Sequence, residues 1–359
     1  MAALVDLFTS FSEMEIGQPT QVPGMTVMTF LDLKYPVLQA PMGSVASARL
    51  AARVSNAGGM GSLALTWDEP RTAVEKVRLL KAETNKLFFV NYVLSFPPES
   101  LEAVLQAGVP AVTFSWGQPA ALVSQAHKHG AMVGIQVGTV DGAKQALDSQ
   151  ADFLICQGVE AGGHVQSTTP LSQLLAQVVD LSGIIPVVVA GGLSNGSDLH
   201  WALKHGADAI MLGTRFVATE ESDAHPLYKQ ALVDAKSEDS TYTLCFDGGW
   251  PYAAHRVLRN DTLNAWESAG CPPVGQRPNE EEIVARGSEG ALLKRYDDAP
   301  PTVSMEGNIL DSCLYAGTGC GNIEDIPDAQ TLLSRIWSDY QALSADESRA
   351  PGTTMPRRQ

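Results

Sequence analysis

Phe153-Leu154-Ile155-Cys156-Gln157-Gly158-Val159-Glu160-Ala161-Gly162-Gly163-His164 reads as a buried strand that runs into a glycine-rich loop and ends on a histidine. The apolar run lacks polar alternation, as strands covered on both faces do. Gly162 and Gly163 remove side chains where something must approach the backbone closely, and His164 then presents a titratable ring to it. Taken alone, such a loop is a tight turn with a surface histidine. Its place in a series changes that reading.

Working outward, the run at 151–157 is the sixth of eight, after 37–42, 59–65, 87–93, 111–116 and 132–137, and before 185–190 and 209–212. Amphipathic stretches alternate with them at 46–56, 69–80, 99–106, 118–128, 142–149, 171–181, 197–204 and after His225. Several close on glycine, at Gly58, Gly108, Gly130 and Gly206, as helices commonly do. Strand and helix alternating eight times predicts an α/β fold of the (β/α)8 TIM barrel type. A doubly wound open sheet has the same alternation, which by itself does not show closure; eight units favour the barrel.

The 359 residues exceed the roughly 250 of a bare barrel. The expected organisation is a lead-in at 1–30, the barrel at 31–235, an irregular and helical C-terminal extension at 236–345 over the barrel mouth, and a disordered tail at 346–359. Within the extension a helix is predicted over 280–295, with Asn279 as its N-cap. A last helix is predicted over 328–343, packing Leu332, Leu333, Ile336, Trp337 and Tyr340, with a polar tail from Ser344.

Hydrophobic residues make up 45% of the chain, enough for a sizeable core. The net charge of −16, from 40 acidic and 24 basic residues, argues against nucleic acid or an anionic membrane surface as partner. No apolar run approaches the roughly 18 residues of a membrane span, and the first residues lack the pattern of a secretory signal. Five cysteines, at 156, 245, 271, 313 and 320, have no metal-ligand spacing. Reduced thiols, a cytoplasmic location and no metal site are therefore expected.

Barrel chemistry sits at the C-terminal ends of the strands. There the sequence places Gln39-Ala40-Pro41-Met42-Gly43, Asn91, Gln136, the Gln157-Gly158 bend, Ala190-Gly191-Gly192 and Met211-Leu212-Gly213-Thr214-Arg215. Backbone N–H groups after the seventh and eighth strands commonly cradle a phosphate. Gly192 and Gly213 would let it approach, and Thr214 adds a hydroxyl; glycines that merely fit helix to strand are the competing reading. No Gly-x-Gly-x-x-Gly fingerprint follows a strand and opens a helix. Gly317-Thr318-Gly319-Cys320-Gly321 is glycine-rich but outside that context, and carries little weight.

Together with Asn56-Ala57-Gly58-Gly59-Met60-Gly61, Val90-Asn91 and Leu212-Gly213-Thr214-Arg215-Phe216, these segments resemble the pattern of the nitronate monooxygenases, formerly 2-nitropropane dioxygenases, over roughly residues 30–220. The resemblance implies FMN bound on a TIM barrel. It implies Asn91 and Gln157 at the flavin ring, and Ala40, Pro41, Met42 and Gly43 against the isoalloxazine. Gly162, Gly192, Met211, Leu212, Gly213 and Thr214 would hold the ribityl phosphate and adjoining cofactor, with Gly158, Gly163 and Gly191 beside them. Gln136 is a further ring contact or only a strand-end amide. His164 would be the catalytic base toward a nitroalkane, or would position an anionic nitronate, and O2 would convert the small-molecule substrate to a carbonyl compound and nitrite. FMN-dependent enoyl-acyl-carrier-protein reductases and some NADH:quinone reductases share the barrel and a similar loop. An NAD(P)H-dependent FMN reductase is therefore the alternative.

Other titratable groups weigh less. His127, His129, His200 and His205 fall in or near helices, away from the rim, and are expected to be solvated or packed. His225 and His255 follow the barrel and could approach its mouth, though ordinary loop roles suit them better. Glu160 either orients His164 or stabilises its turn, and Trp116 either walls the pocket or packs at the rim.

Overall fold

A computed structural model of the chain describes residues 33–117, 119–288 and 290–349; the lead-in expected at 1–30 and tail residues 350–359 lie outside them. The short apolar runs become strands β1 (Val37–Gln39), β2 (Gly61–Ala64), β3 (Phe88–Val93), β4 (Ala111–Ser115), β5 (Met132–Val137) and β6 (Phe153–Gln157), then β8 (Val187–Ala190) and β9 (Ala209–Leu212). Between β6 and β8 lies β7 (Gly163–His164), two residues long and outside the barrel sheet. The eight barrel strands are parallel, in the order β1-β9-β8-β6-β5-β4-β3-β2. A parallel bridge from Leu38 to Met60 and a 2.9 Å bond from the Gln39 N–H to the Met60 carbonyl join the two edges, so the sheet closes. Closure removes the exposed edges that an open sheet would leave. The predicted barrel is the observed one.

The strand pleat divides the core in two. Leu38, Phe89, Phe153, Ile155, Val188 and Met211 point into the barrel and fill it. Their neighbours Val37, Val90, Leu154, Val187, Ile210 and Leu212 point outward under the helices. This alternation decides which side of a strand end faces the mouth.

After helix Pro226–Asp234, strands β10 (Ser240–Thr243) and β11 (His255–Leu258) pair antiparallel, and β11 also pairs with β7. The extension thereby takes hold of the glycine-rich loop, with His255 opposite His164 and Arg256 opposite Gly163. A second small sheet joins β12 (Ile283–Gly287), β13 (Leu292–Lys294) and β14 (Met305–Gly307).

This sheet corrects the helix predicted over 280–295. Val284, Ala285 and Leu293 pack in one cluster with Ile309, which a hairpin allows. Gly287 accepts the Gly290 N–H and Gly290 has φ +81°, so the chain reverses there. Asn279 is no N-cap: its φ is +53°, and the Glu280 carboxylate is spent on the N–H groups of Gly275 and Arg277. The last helix spans Ala329–Arg349 and opens on Asp328, whose carboxylate accepts the Thr331 N–H at 2.9 Å. It runs past Ser344, where a disordered tail was expected, because Glu347 meets Lys204 at 2.6 Å and His200 at 3.3 Å.

Candidate active site

At the C-terminal ends of the strands lies a cavity of roughly 590 Å³. Ala40, Pro41, Met42, Gly43, Asn91, Gln136, Gln157, Gly162, Gly163, His164, Gly191, Gly192, Met211, Gly213 and Thr214 all line it. Gly158 and Leu212 do not. Leu212 alternates with inward-facing Met211, so the pleat turns it to the helix layer. Gly158 is a packing glycine: a Cβ there would lie 2.5 Å from the Leu171 Cβ and 2.4 Å from the Glu160 carboxylate. A larger hollow of about 760 Å³ opens at the other end of the barrel, among Lys34, Asn56, Lys81 and Lys86, and contains none of these residues.

One wall of the cavity is nearly bare backbone. Gly191 and Gly192 both have positive φ, +116° and +73°, which favours glycine at the end of β8. A Cβ on Gly162 would sit 2.4 Å from the Gly317 nitrogen and one on Gly192 2.8 Å from the Thr318 hydroxyl, so both glycines let the 317–319 segment pack against this wall, whereas a Cβ on Gly163 would meet nothing within 4 Å. The N–H groups of Gly192, Gly213 and Thr214 donate to no backbone carbonyl among the described residues. Such N–H groups around a space kept free of side chains are what an anion needs. The segment at 317–321, given little weight in the sequence, completes this wall: Gly317 donates to the Thr214 hydroxyl at 3.0 Å, and Thr318 donates to the Glu160 carbonyl at 3.0 Å. Only the fold brings it there, across about a hundred residues from its partner Thr214.

Three amides also face the cavity, Asn91 from β3, Gln136 from β5 and Gln157 from β6, the last beside Ala190 at the end of β8. Asn91 donates to the Thr113 hydroxyl at 3.0 Å and Gln136 to the Gln166 side chain at 2.7 Å. Gln157 accepts the Gln166 N–H at 2.9 Å and donates to the His164 carbonyl at 3.3 Å. Gln157 thus braces both ends of the loop as well as facing the cavity. Glu160 has the turn-stabilising role: its carboxylate accepts the Leu171 N–H, at the start of the next helix.

His164 is enclosed by rings. Trp250 lies 4.4 Å away, His255 5.5 Å and Tyr315 5.6 Å between centroids. Its Nε2 is buried and lacks a hydrogen-bond partner among the described residues. Loss of hydration, with His255 nearby, lowers its pKa to about 3, so the ring is uncharged at neutral pH. His255 is also held low by burial; it donates from Nδ1 to the Ala253 carbonyl and accepts the Phe246 N–H at Nε2. It lies beside His164, near the mouth that the sequence allowed it to approach, and anchors the loop that carries Trp250.

Two neutral buried histidines make stability depend on pH. The unfolded chain takes up protons below about pH 6.5 and the folded chain does not, so stability falls as pH drops from there toward about 3. For His164 alone the loss at pH 5 is about 2 kcal/mol. Urea midpoints at pH 7.5 and pH 5 should therefore differ less in His164→Leu than in the parent; equal differences would contradict the burial assignment.

Trp67, Trp250, Asp298 and Gly319 line the cavity without having been singled out there from sequence. The other histidines stay away from it, as expected: His127 pairs with Asp152 at 2.9 Å, His129 with Glu102 at 3.4 Å, and His205 bonds the Trp201 carbonyl at 2.7 Å. Cys156, Cys245, Cys313 and Cys320 are buried free thiols, and no cluster of metal-binding side chains occurs among the described residues.

Comparison with known proteins gives a consistent family. The model of the nitronate monooxygenase family matches residues 25–99 and 84–339. A Mycobacterium tuberculosis protein named (3aS,4S,5R,7aS)-5-hydroxy-7a-methyl-1-oxo-octahydro-1H-indene-4-carboxyl-CoA dehydrogenase is 34% identical, over 86% of this chain and 94% of that protein. The nitronate monooxygenase of Pseudomonas aeruginosa is 27% identical, over 85% of this chain and 96% of its own. The structure of the nitroalkane oxidase of Streptomyces ansochromogenes superposes with a TM-score of 0.74 at 26% identity, covering 90% of this chain and all of that one.

Proposed function

The chain belongs to the nitronate monooxygenase family and is a flavin-dependent oxidoreductase, and from that premise we propose that it holds FMN in the rim cavity and oxidises alkyl nitronates with dioxygen to a carbonyl compound and nitrite. The observation that carries this reading is the placement of His164 in the same cavity as the bare glycine wall. Gly162, Gly191, Gly192, Gly213 and Thr214 would hold the flavin phosphate, and Asn91, Gln136 and Gln157 would face its ring beside Ala40, Pro41, Met42 and Gly43. Bound FMN supplies the transfer of electrons between substrate and dioxygen. The single phosphate cradle fits FMN better than a dinucleotide. Extraction of the native flavin should give FMN, and FAD as the only flavin would contradict this.

His164 acts by position in this account. An imidazole whose pKa is near 3 is poorly matched to taking a proton from a weak carbon acid at neutral pH. It can still hydrogen-bond the oxygens of a nitronate, which has lost that proton already. Trp250 and Tyr315 keep water from its ring. The chain should therefore release nitrite from propyl nitronate with matching O2 uptake, and do so far faster than from freshly dissolved 1-nitropropane. Equal rates from both would restore the base role.

The relative named as a carboxyl-CoA dehydrogenase favours a second reading, in which a dehydrogenase or NAD(P)H-dependent reductase uses the same flavin. Against it, no lysine or arginine among the described residues lines the cavity, so phosphates of NAD(P)H or coenzyme A beyond the one that the backbone cradle would take find no cation there. A cytoplasmic setting accompanies either reading, supported by the free thiols. No helix among the described residues is long and apolar enough to cross a membrane.

A further inference from the structure

The part of the cavity beyond His164 is walled by Trp67, Trp116 and Trp250, and Phe96, outside the lining, joins Trp67 to Trp250, so the rings come from four separate loops. Trp67 follows β2, Phe96 follows β3, Trp116 follows β4, and Trp250 comes from the extension. Their rings meet edge to face in a chain: Trp67 to Phe96 at 5.3 Å, Phe96 to Trp250 at 5.3 Å, and Trp250 to Trp116 at 4.7 Å. The chain ends on His164, 4.4 Å from Trp250. Exposure rises along it from 8% at Trp250 to 60% at Trp67, so it runs from solvent to the reacting end.

Two further observations point to a ligand. Trp116 sits at φ +59°, a backbone conformation that is rare for a bulky residue and tends to persist where function requires it. Among the described residues the cavity wall also has no lysine or arginine, and its one carboxylate, Asp298, is pushed toward its neutral form by burial. The outer cavity therefore suits an uncharged apolar group, flat enough to lie against rings.

We propose that Trp67, Trp116 and Trp250, braced by Phe96, form the specificity subsite, and that the natural substrate carries a bulky uncharged ring system attached to the reacting carbon. This rests on the nitronate reading above, and it excludes short alkyl nitronates as the preferred substrates. Burial of such a group discriminates by roughly 10–200-fold per well-filled apolar contact.

The test compares kcat/KM for the nitronates of 1-nitro-2-phenylethane and 1-nitropropane in the flavin-loaded protein. The phenyl compound should be preferred by at least about 10-fold, and Trp67→Ala should cut that ratio severalfold or more. A ratio near one, or one that Trp67→Ala leaves unchanged, would overturn the proposal. A parallel titration follows quenching of tryptophan fluorescence by 2-phenylethanol and by 1-propanol, neither of which needs to react. If no nitronate turns over, the monooxygenase reading fails by itself. The subsite still stands if 2-phenylethanol binds more tightly and Trp67→Ala removes the difference, and falls if the two alcohols bind alike.

Discussion

Gly192→Leu is expected to give a folded, colourless protein. Gly192 has φ +73°, and a Cβ there would press on the Thr318 hydroxyl at 2.8 Å and on the Glu160 Cβ at 2.9 Å. The left-handed backbone costs about 1–2 kcal/mol for a residue with a side chain. That is small against the roughly 5–15 kcal/mol that holds a domain together, so the barrel survives. The proposed phosphate site is expected not to, because the clash with Thr318 and Glu160 displaces the backbone of residues 317–319 and 192 that walls the cavity beside the N–H groups of Gly213 and Thr214. Hydrogen bonds to a charged group are worth about 1.5–3 kcal/mol each. Loss of two weakens FMN binding at least about 100-fold. Far-UV circular dichroism and flavin absorbance on the same sample check this; a yellow variant would move the phosphate away from the end of β8.

His164→Ala should keep its flavin and lose activity. If the imidazole positions the nitronate by a hydrogen bond to its charged oxygens, kcat/KM for propyl nitronate falls about 10- to 100-fold. The neutral nitroalkane should fall by a similar factor from a lower starting point. General-base removal would look different, with a loss of roughly 10²–10⁴ confined to the neutral form. Turnover unchanged with both would take His164 out of the mechanism. Flavin content must be measured alongside, since β7 ties this residue to the extension through His255.

The barrel and most of its rim were legible because local sequence specified them. Each strand was short and apolar, each helix amphipathic, and the glycines after β6, β8 and β9 marked where backbone had to stand bare. The misplacement of Leu212 has a simple origin. A segment was carried over as a block, while the pleat sends Met211 and Leu212 to opposite sides. The extension was less readable. Its helix at 280–295 proved to be a hairpin, since Gly287 and Gly290 outweigh the acidic run before them. Trp250 and Gly317 reach the cavity only through long-range packing: β11 pairs with β7, and the Gly317 N–H finds Thr214. No spacing in the sequence announces such contacts.

The sequence offered His164 as base or as positioning group and could not choose. Its surroundings favour the positioning role we propose: the rings of Trp250, Tyr315 and a second buried histidine, His255, crowd the imidazole. None of those neighbours is adjacent in the chain.

We propose that a nitronate, not a reduced nicotinamide, delivers electrons to the flavin in this cavity. Anaerobic mixing of the yellow protein with propyl nitronate, and separately with NADH and NADPH, tests it most directly. Loss of the flavin absorbance with the nitronate alone, reversed on admitting air with nitrite formed, is the predicted result. Rapid bleaching by NADH or NADPH with no response to the nitronate would contradict it and establish the reductase reading.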